Sequence, residues 1–122
     1  MLRAGLLLAL LGATPVAAQD AANGGKVFRK CMACHSLAKG VDRIGPNLHA
    51  IAGRPVASEP RYAYSAALRD LGGEGAVWDD ERLGAFLADP KAAIPGTKMV
   101  FAGLKDEGDI ADIIAYLKET AE

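Results

Sequence analysis

The sequence predicts a small all-α domain, with short helices and long connections gathered around something large. Three observations predict it. The C-terminal segment carries a single apolar stripe, Ile110, Ile113, Ile114, Leu117 and Ala121, at helical spacing. No stretch alternates apolar and polar residues for more than a few positions, as a half-buried strand would. The roughly 40 residues between Leu37 and Trp78 are rich in breakers and poor in periodicity. Loops of that length are unusual in a compact domain unless a large body fills the middle.

The elements follow in chain order. Residues 1–18 read as a secretory leader. Arg3 gives a minimal positive start, the apolar run Ala4 to Leu11 follows, and Gly12, Thr14 and Pro15 break it. Val16-Ala17-Ala18 then places small residues at a cleavage site after Ala18. A spanning helix needs about 20 apolar residues, so a cleaved address fits better than an anchor. The mature domain is expected at 19–122, with 13 basic against 15 acidic residues and a net charge of −2. Asp20 or Asn23 can cap a first helix through Val27, Phe28 and Cys31, ending near Cys34. Gly45-Pro46-Asn47 and Arg54-Pro55 break the chain between residues 40 and 60. A short helix is expected over 64–71, with Ser65 near its start and the glycines at 72, 73 and 75 at its end. Asp79 or Asp80 caps the next helix, whose Leu83, Phe86 and Leu87 share one face before Pro90 stops it. Pro95-Gly96 marks a turn. In the last helix, Asp106, Glu107 and Asp109 sit at the start and Lys118 at the end, as the helix dipole prefers.

Composition bounds the function. The 122 residues carry 14 Lys+Arg against 15 Asp+Glu, which excludes nucleic-acid binding by bulk charge. At 51% hydrophobic residues the chain is not disordered. Aromatics are scarce at 6%, and two cysteines cannot form a disulfide framework. A domain this small, with so few large core side chains, needs a disulfide, a metal or a cofactor to complete its core.

The chemistry lies in Cys31-Met32-Ala33-Cys34-His35, the Cys-x-x-Cys-His attachment signature of c-type haem. On a helical turn, residues i and i+3 share a face. Two thiols placed so can each add across one haem vinyl group, and the next imidazole then faces the iron. Three other readings of the cysteine pair are weaker. A thioredoxin-like redox pair wants a βαβ context. A zinc site lacks a second cysteine pair, and His49 is the only other histidine. A plain disulfide leaves His35 without a role.

An electron carrier needs a second axial ligand. The mature chain offers Met32, between the cysteines, and Met99, on the Ile94-Pro95-Gly96-Thr97-Lys98-Met99 turn. Met32 cannot reach the opposite haem face. Met99 can, although a methionine is most often core filler, and His49 is the rival. Choosing Met99 predicts a raised potential and leaves the iron no free site for substrate, which argues against an enzyme.

The residues just quoted resemble those of class I cytochromes c, of the mitochondrial type and its periplasmic bacterial relatives. The resemblance covers nearly the whole mature chain. Gly24 and Phe28 resemble the family's N-terminal helix contact pair. Gly45-Pro46-Asn47-Leu48-His49 resembles the loop behind the proximal histidine. Ile94 to Gly103 resembles the distal methionine loop almost letter for letter, and Ile113-Ile114-Ala115-Tyr116-Leu117 the C-terminal helix. The resemblance implies the class I fold, its terminal helices crossing with Phe28 and Tyr116 at the contact. It implies one covalent haem c per chain, held through Cys31 and Cys34 with His35 and Met99 as axial ligands. It implies a Pro46 carbonyl accepting from His35, donors to a propionate at Arg54, Tyr64 and Trp78, and Thr97 in the distal loop beside the cofactor. Tyr62 reads as plain packing. Some positions depart from the pattern. Phe86 stands where a Tyr approaches the methionine sulfur, and Leu68 where an Asn often sits. Ala93 replaces an aromatic, and Lys105-Asp106-Glu107 thins a basic stretch.

The resemblance and the leader together imply a monomeric, non-enzymatic periplasmic electron carrier with no stable membrane insertion after cleavage. Its donor would be a quinol–cytochrome c oxidoreductase or a periplasmic dehydrogenase. Its acceptor would be a terminal oxidase, a peroxidase or other reductase, or a photosynthetic reaction centre. Docking would use Lys26, Lys30, Lys91 and Lys98, which flank the haem crevice, while the acidic runs 79–81 and 106–112 lie elsewhere. Two other functional classes are a haem peroxidase or sensor with an open iron, and a thiol redox protein.

Overall fold

The computed structural model describes residues 4–5 and 19–121. The expected leader at 1–18 therefore lies, but for residues 4–5, outside the described residues. The described chain is helical, and its β pairing is a single antiparallel bridge between Pro55 and Val77.

The first helix, α1 (Ala21–Phe28), starts at Asp20, whose carboxylate accepts from the Asn23 amide at 3.1 Å. It ends earlier than the sequence suggests. Beyond Phe28 the chain tightens into three-residue turns, with Lys30 N–H donating to Val27 at 3.1 Å and Cys31 N–H to Phe28 at 2.8 Å. The cysteines thus sit on tight turns just past the helix rather than within it.

Ser65, itself buried, caps α2 (Ala66–Gly73) by accepting from Leu68 N–H at 3.2 Å. The glycines expected to stop this helix include two of its own residues. The stop comes at Gly75, which takes φ +83°. Asp79 caps α3 (Asp80–Ala88), and its Leu83, Phe86 and Leu87 are all buried. Pro90 does more than stop α3. Asp89 closes α3 and caps α4 (Pro90–Ala93), accepting from Ala92 N–H at 3.2 Å. Pro90 occupies the first position of α4, where its missing N–H costs nothing.

Asp106 caps α5 (Glu107–Glu119), which buries Ile113, Ile114 and Leu117. α1 and α5 cross as expected, with the Phe28 and Tyr116 rings 5.5 Å apart. The core continues from this crossing through Leu83, Phe86, Leu87 and Ile94 to Trp78, Ile51 and Val56. The terminal helices and α3 thus form one wall, against which the loops that carry the site are held.

Candidate haem site

The attachment turn is built by local hydrogen bonds. Cys34 N–H and His35 N–H both donate to the Cys31 carbonyl, at 3.1 and 2.9 Å. That one turn places Cys31 and Cys34 a single pitch apart, with His35 following. Both thiols are free and half-buried. Burial, and after it the neighbouring Cys34, raises the Cys31 thiol above its ordinary value, and Lys30 opposes this in part. The protonated thiol is favoured at neutral pH, which keeps it an unreactive nucleophile until a partner activates it.

His35 lies with Nδ1 2.7 Å from the Pro46 carbonyl oxygen. Burial lowers the imidazole below its ordinary value, offset in part by that carbonyl. The neutral ring with its proton on Nδ1 donates to Pro46 and leaves the Nε2 lone pair open, which is the form a metal ligand needs. Gly45 makes the approach possible. A Cβ there would stand 2.7 Å from Nδ1 and 2.8 Å from Nε2 of His35. Its N–H also donates to the Cys34 carbonyl at 2.8 Å, tying the loop to the attachment turn. The sequence marked Gly45 as a breaker and as part of a loop behind His35, without showing that its missing side chain is what admits the ring.

A second group of donors gathers around residues 42–64. Asn47, 1% exposed, is held from both sides. Its backbone and side-chain N–H groups donate to Asp42 Oδ1 at 2.8 and 2.9 Å. Arg54 donates to Asn47 Oδ1, the Asn47 carbonyl and the His49 carbonyl at 3.2, 2.9 and 2.9 Å. Its Nε is buried and has no partner in the protein. Backbone bonds bring Arg54 beside the buried Trp78. Trp78 N–H donates to the Arg54 carbonyl at 2.9 Å, and Gly53 N–H to the Trp78 carbonyl at 2.7 Å. The Tyr64 hydroxyl accepts from Glu59 N–H at 3.0 Å, which leaves its own proton free to donate. Burial raises the Tyr64 phenol above its ordinary value. Tyr62 does more than pack. Its hydroxyl donates to the Ile44 carbonyl at 2.8 Å, and its ring meets Tyr64 edge-on at 4.9 Å.

The two remaining ligand candidates separate. His49 lines an open pocket of about 360 Å³ with Lys39, Asn47, Arg54 and Glu59, and none of Cys31, Cys34, His35 or Met99 borders it. Met99 is half-buried against the core. Its loop begins in a turn in which Thr97 N–H donates to the Ile94 carbonyl at 3.1 Å and Gly96 takes φ +92°. Thr97 Oγ1 then accepts from Met99 N–H at 3.3 Å. Val100 is 94% exposed, so the chain turns Met99 inward and its neighbour out. Met32 is 52% exposed. Lys26, Lys30, Lys91 and Lys98 are all exposed.

These residues fit a haem. Two free thiols share a turn, and an imidazole has one nitrogen engaged and the other open. A buried guanidinium Nε without a partner and a buried phenol with a free proton suit a carboxylate. A thioether stands on a braced turn against the core.

Comparison with known proteins agrees. The family model for cytochrome c matches residues 21–121. The chain is similar to cytochrome c2 of Blastochloris viridis, 43% identical over 116 residues, covering 94% of this chain and 89% of that protein. It is 52% identical over 100 residues to a cytochrome c homolog of Rickettsia felis, a match covering 81% of this chain and 55% of that longer protein. Among solved structures, cytochrome cH from Methylobacterium extorquens aligns with a TM-score of 0.74 at 44% identity, covering 82% of this chain and 98% of that one.

Proposed function

The chain belongs to the cytochrome c family, and from that premise we propose that it is a periplasmic electron carrier. It takes one electron from a quinol–cytochrome c oxidoreductase or a periplasmic dehydrogenase and passes it to a terminal oxidase, a reductase or a photosynthetic reaction centre. The family binds haem c covalently, and Cys31 and Cys34 stand in the arrangement that does so. When bound, the haem supplies a one-electron ferric/ferrous couple, whose potential histidine–methionine ligation raises.

The chain's own residues do the rest. Cys31 and Cys34 would hold the haem through thioethers. His35 and Met99 would ligate its iron. The Pro46 carbonyl keeps the His35 proton on Nδ1 and orients the ring. Arg54 Nε, Tyr64 and Trp78 would donate to a propionate, whose charge would otherwise be costly to bury. Thr97 braces the Met99 turn. With both iron ligands supplied by the chain no position would be left for substrate, which supports an electron carrier rather than an enzyme. It works as a monomer and docks transiently through Lys26, Lys30, Lys91 and Lys98.

The observation that carries this reading is the His35 ring held by Pro46 on the same turn as two free thiols. The test is the exported product. Acid–acetone should leave the colour on the protein, periplasmic fractions should contain it, and redox titration should give one reversible electron with a six-coordinate spectrum in both states. Haem that extracts freely, or a five-coordinate spectrum, would sink the carrier assignment.

A further inference from the structure

The Pro46–Asn47 peptide group is bonded at both ends. Its carbonyl oxygen takes the His35 Nδ1 proton at 2.7 Å. Its N–H, across the same planar amide, donates to Asp42 Oδ1 at 2.8 Å. Peptide resonance couples the two ends. A negative charge at the N–H draws the amide proton outward and moves electron density onto the carbonyl oxygen. Hydrogen bonds in series strengthen one another in this way, most of all out of bulk water. The setting favours it. Asn47 is 1% exposed, Gly45 is buried and Asp42 is half-buried. The amide also has no freedom to turn away. The Asn47 side chain adds a second donor to the same Asp42 oxygen at 2.9 Å, and Arg54 grips Asn47 from the other side.

We propose that Asp42 is a positioning residue for the axial histidine, its carboxylate acting on the His35 imidazole through the Pro46–Asn47 peptide bond. The hydrogen bonds of Asp42 go to Asn47 and not to His35, and nothing in the motif marks it. Its charge makes Pro46 a stronger acceptor, which makes the imidazole more electron-rich at Nε2. A richer ligand favours ferric iron, so Asp42 lowers the reduction potential relative to a neutral residue in its place. The arrangement also gives the Asp42–Asn47 segment a defined task. It holds the carbonyl on the ring while the attachment turn is tied to the same loop through Gly45.

The proposal rests on His35 being an axial ligand, and the test separates the two ideas. Asp42→Asn keeps an oxygen that can accept from Asn47 N–H but removes the charge, and Asp42→Ser does the same with a smaller group. Glu59→Gln removes a nearby acid that does not touch the Pro46–Asn47 peptide. Proton NMR of the reduced holoprotein reads the His35 Nδ1–H and Asn47 N–H directly. In both Asp42 variants the two protons should move upfield together, and the His35 proton should exchange roughly five- to tenfold faster, as losing the charge-assisted part of a hydrogen bond implies. The potential should rise. In Glu59→Gln the His35 proton should stay where it is. An unmoved His35 proton in a normally coloured Asp42→Asn or Asp42→Ser protein overturns the relay, even if the potential changes, because Asp42 would then act only as a charge through space. An equal shift in Glu59→Gln overturns it as well. A wild-type spectrum without six-coordinate haem sinks the functional reading instead.

Discussion

Gly24 of α1 faces Tyr116 of α5 so closely that a Cβ on Gly24 would stand 2.7 Å from the Tyr116 Cβ, with the Asp112 backbone nearer still. The helix crossing is therefore a backbone contact that only glycine permits. Around it the seam is polar at one end and aromatic at the other. Asn23 donates to Asp109 and Asp112 at 3.0 and 2.9 Å, and Phe28 meets Tyr116 at 5.5 Å.

Gly24→Ala should lower the unfolding free energy by about 1–3 kcal/mol, the usual cost of overpacking a tight contact. Gly25→Ala is the control. Its Cβ would meet only the edge of the Tyr116 ring, at 3.2 Å, and it gains helix propensity. Denaturant unfolding of the holoprotein should separate the two variants. Equal stability would mean that the crossing can open without loss.

The local parts of this molecule were legible in the sequence. A cap at Asp79 or Asp80, an acidic start to the last helix and the stripe from Ile110 to Leu117 follow from short-range rules. The structure contains all three, with Asp79 as the cap of α3 and Asp106, read only as a dipole residue, as the cap of α5. Cys-x-x-Cys-His is likewise a local signal. What was not legible depends on partners far along the chain or on the backbone itself. Gly45 reads as a breaker in a loop behind His35, but that only a glycine fits there shows first when His35, ten positions earlier, is seen pressed against its missing side chain. Arg54 reads as a propionate donor, yet three of its bonds go to the loop at 47–49, and only Nε is left without a protein partner. Pro90 reads as a stop because nothing in the sequence says that Asp89 caps a second helix. α1 ends at Phe28 because turns of tighter pitch take over there, a change that apolar spacing does not register.

Met99→Ala should abolish the weak near-infrared thioether–iron band, lower the potential and open the iron to peroxide. Met99 packs half-buried against the core behind the Ile94–Thr97 turn, whereas Met32 is 52% exposed. Met32→Ala should leave the spectrum and the potential as they are. A surviving near-infrared band in Met99→Ala would point to another ligand.

Tyr64 should make stability fall in alkaline solution. Burial raises its phenol in the folded state, while in the unfolded chain it titrates near its ordinary value of about 10. As pH rises through that value the unfolded chain releases a proton that the native protein still holds, so unfolding is favoured. The loss begins near pH 10 and continues up to the raised folded value. Tyr64→Phe should flatten this alkaline slope, at the cost of the hydrogen bond from Glu59 N–H. Urea unfolding of the reduced protein between pH 8 and pH 11 (a range chosen about the reference value) measures it. An unchanged slope in Tyr64→Phe would assign the alkaline loss to other groups.

Docking through Lys26, Lys30, Lys91 and Lys98 should make partner encounter fall as salt rises. Among the described residues the one side-chain ion pair joins Lys118 to Asp80 at 2.7 Å, so these four exposed lysines carry charge that no acidic side chain pairs. Lys30 precedes the attachment turn, and Lys91 and Lys98 border the Met99 loop on α4 and beyond it. The acidic residues that begin α3 and α5 stand apart from them in the chain. Charges at the surface are screened over about 8 Å at physiological salt, so the attraction acts on encounter rather than on a locked complex. Stopped-flow oxidation by an acidic redox partner, followed against ionic strength, reads this. Lys30→Glu with Lys98→Glu should slow the reaction steeply at low salt and far less at high salt. Lys118→Gln, which breaks an exposed pair worth about 0–1 kcal/mol, should barely change the rate. A rate that ignores salt, or equal loss from the Lys118 variant, would place the contact on another face.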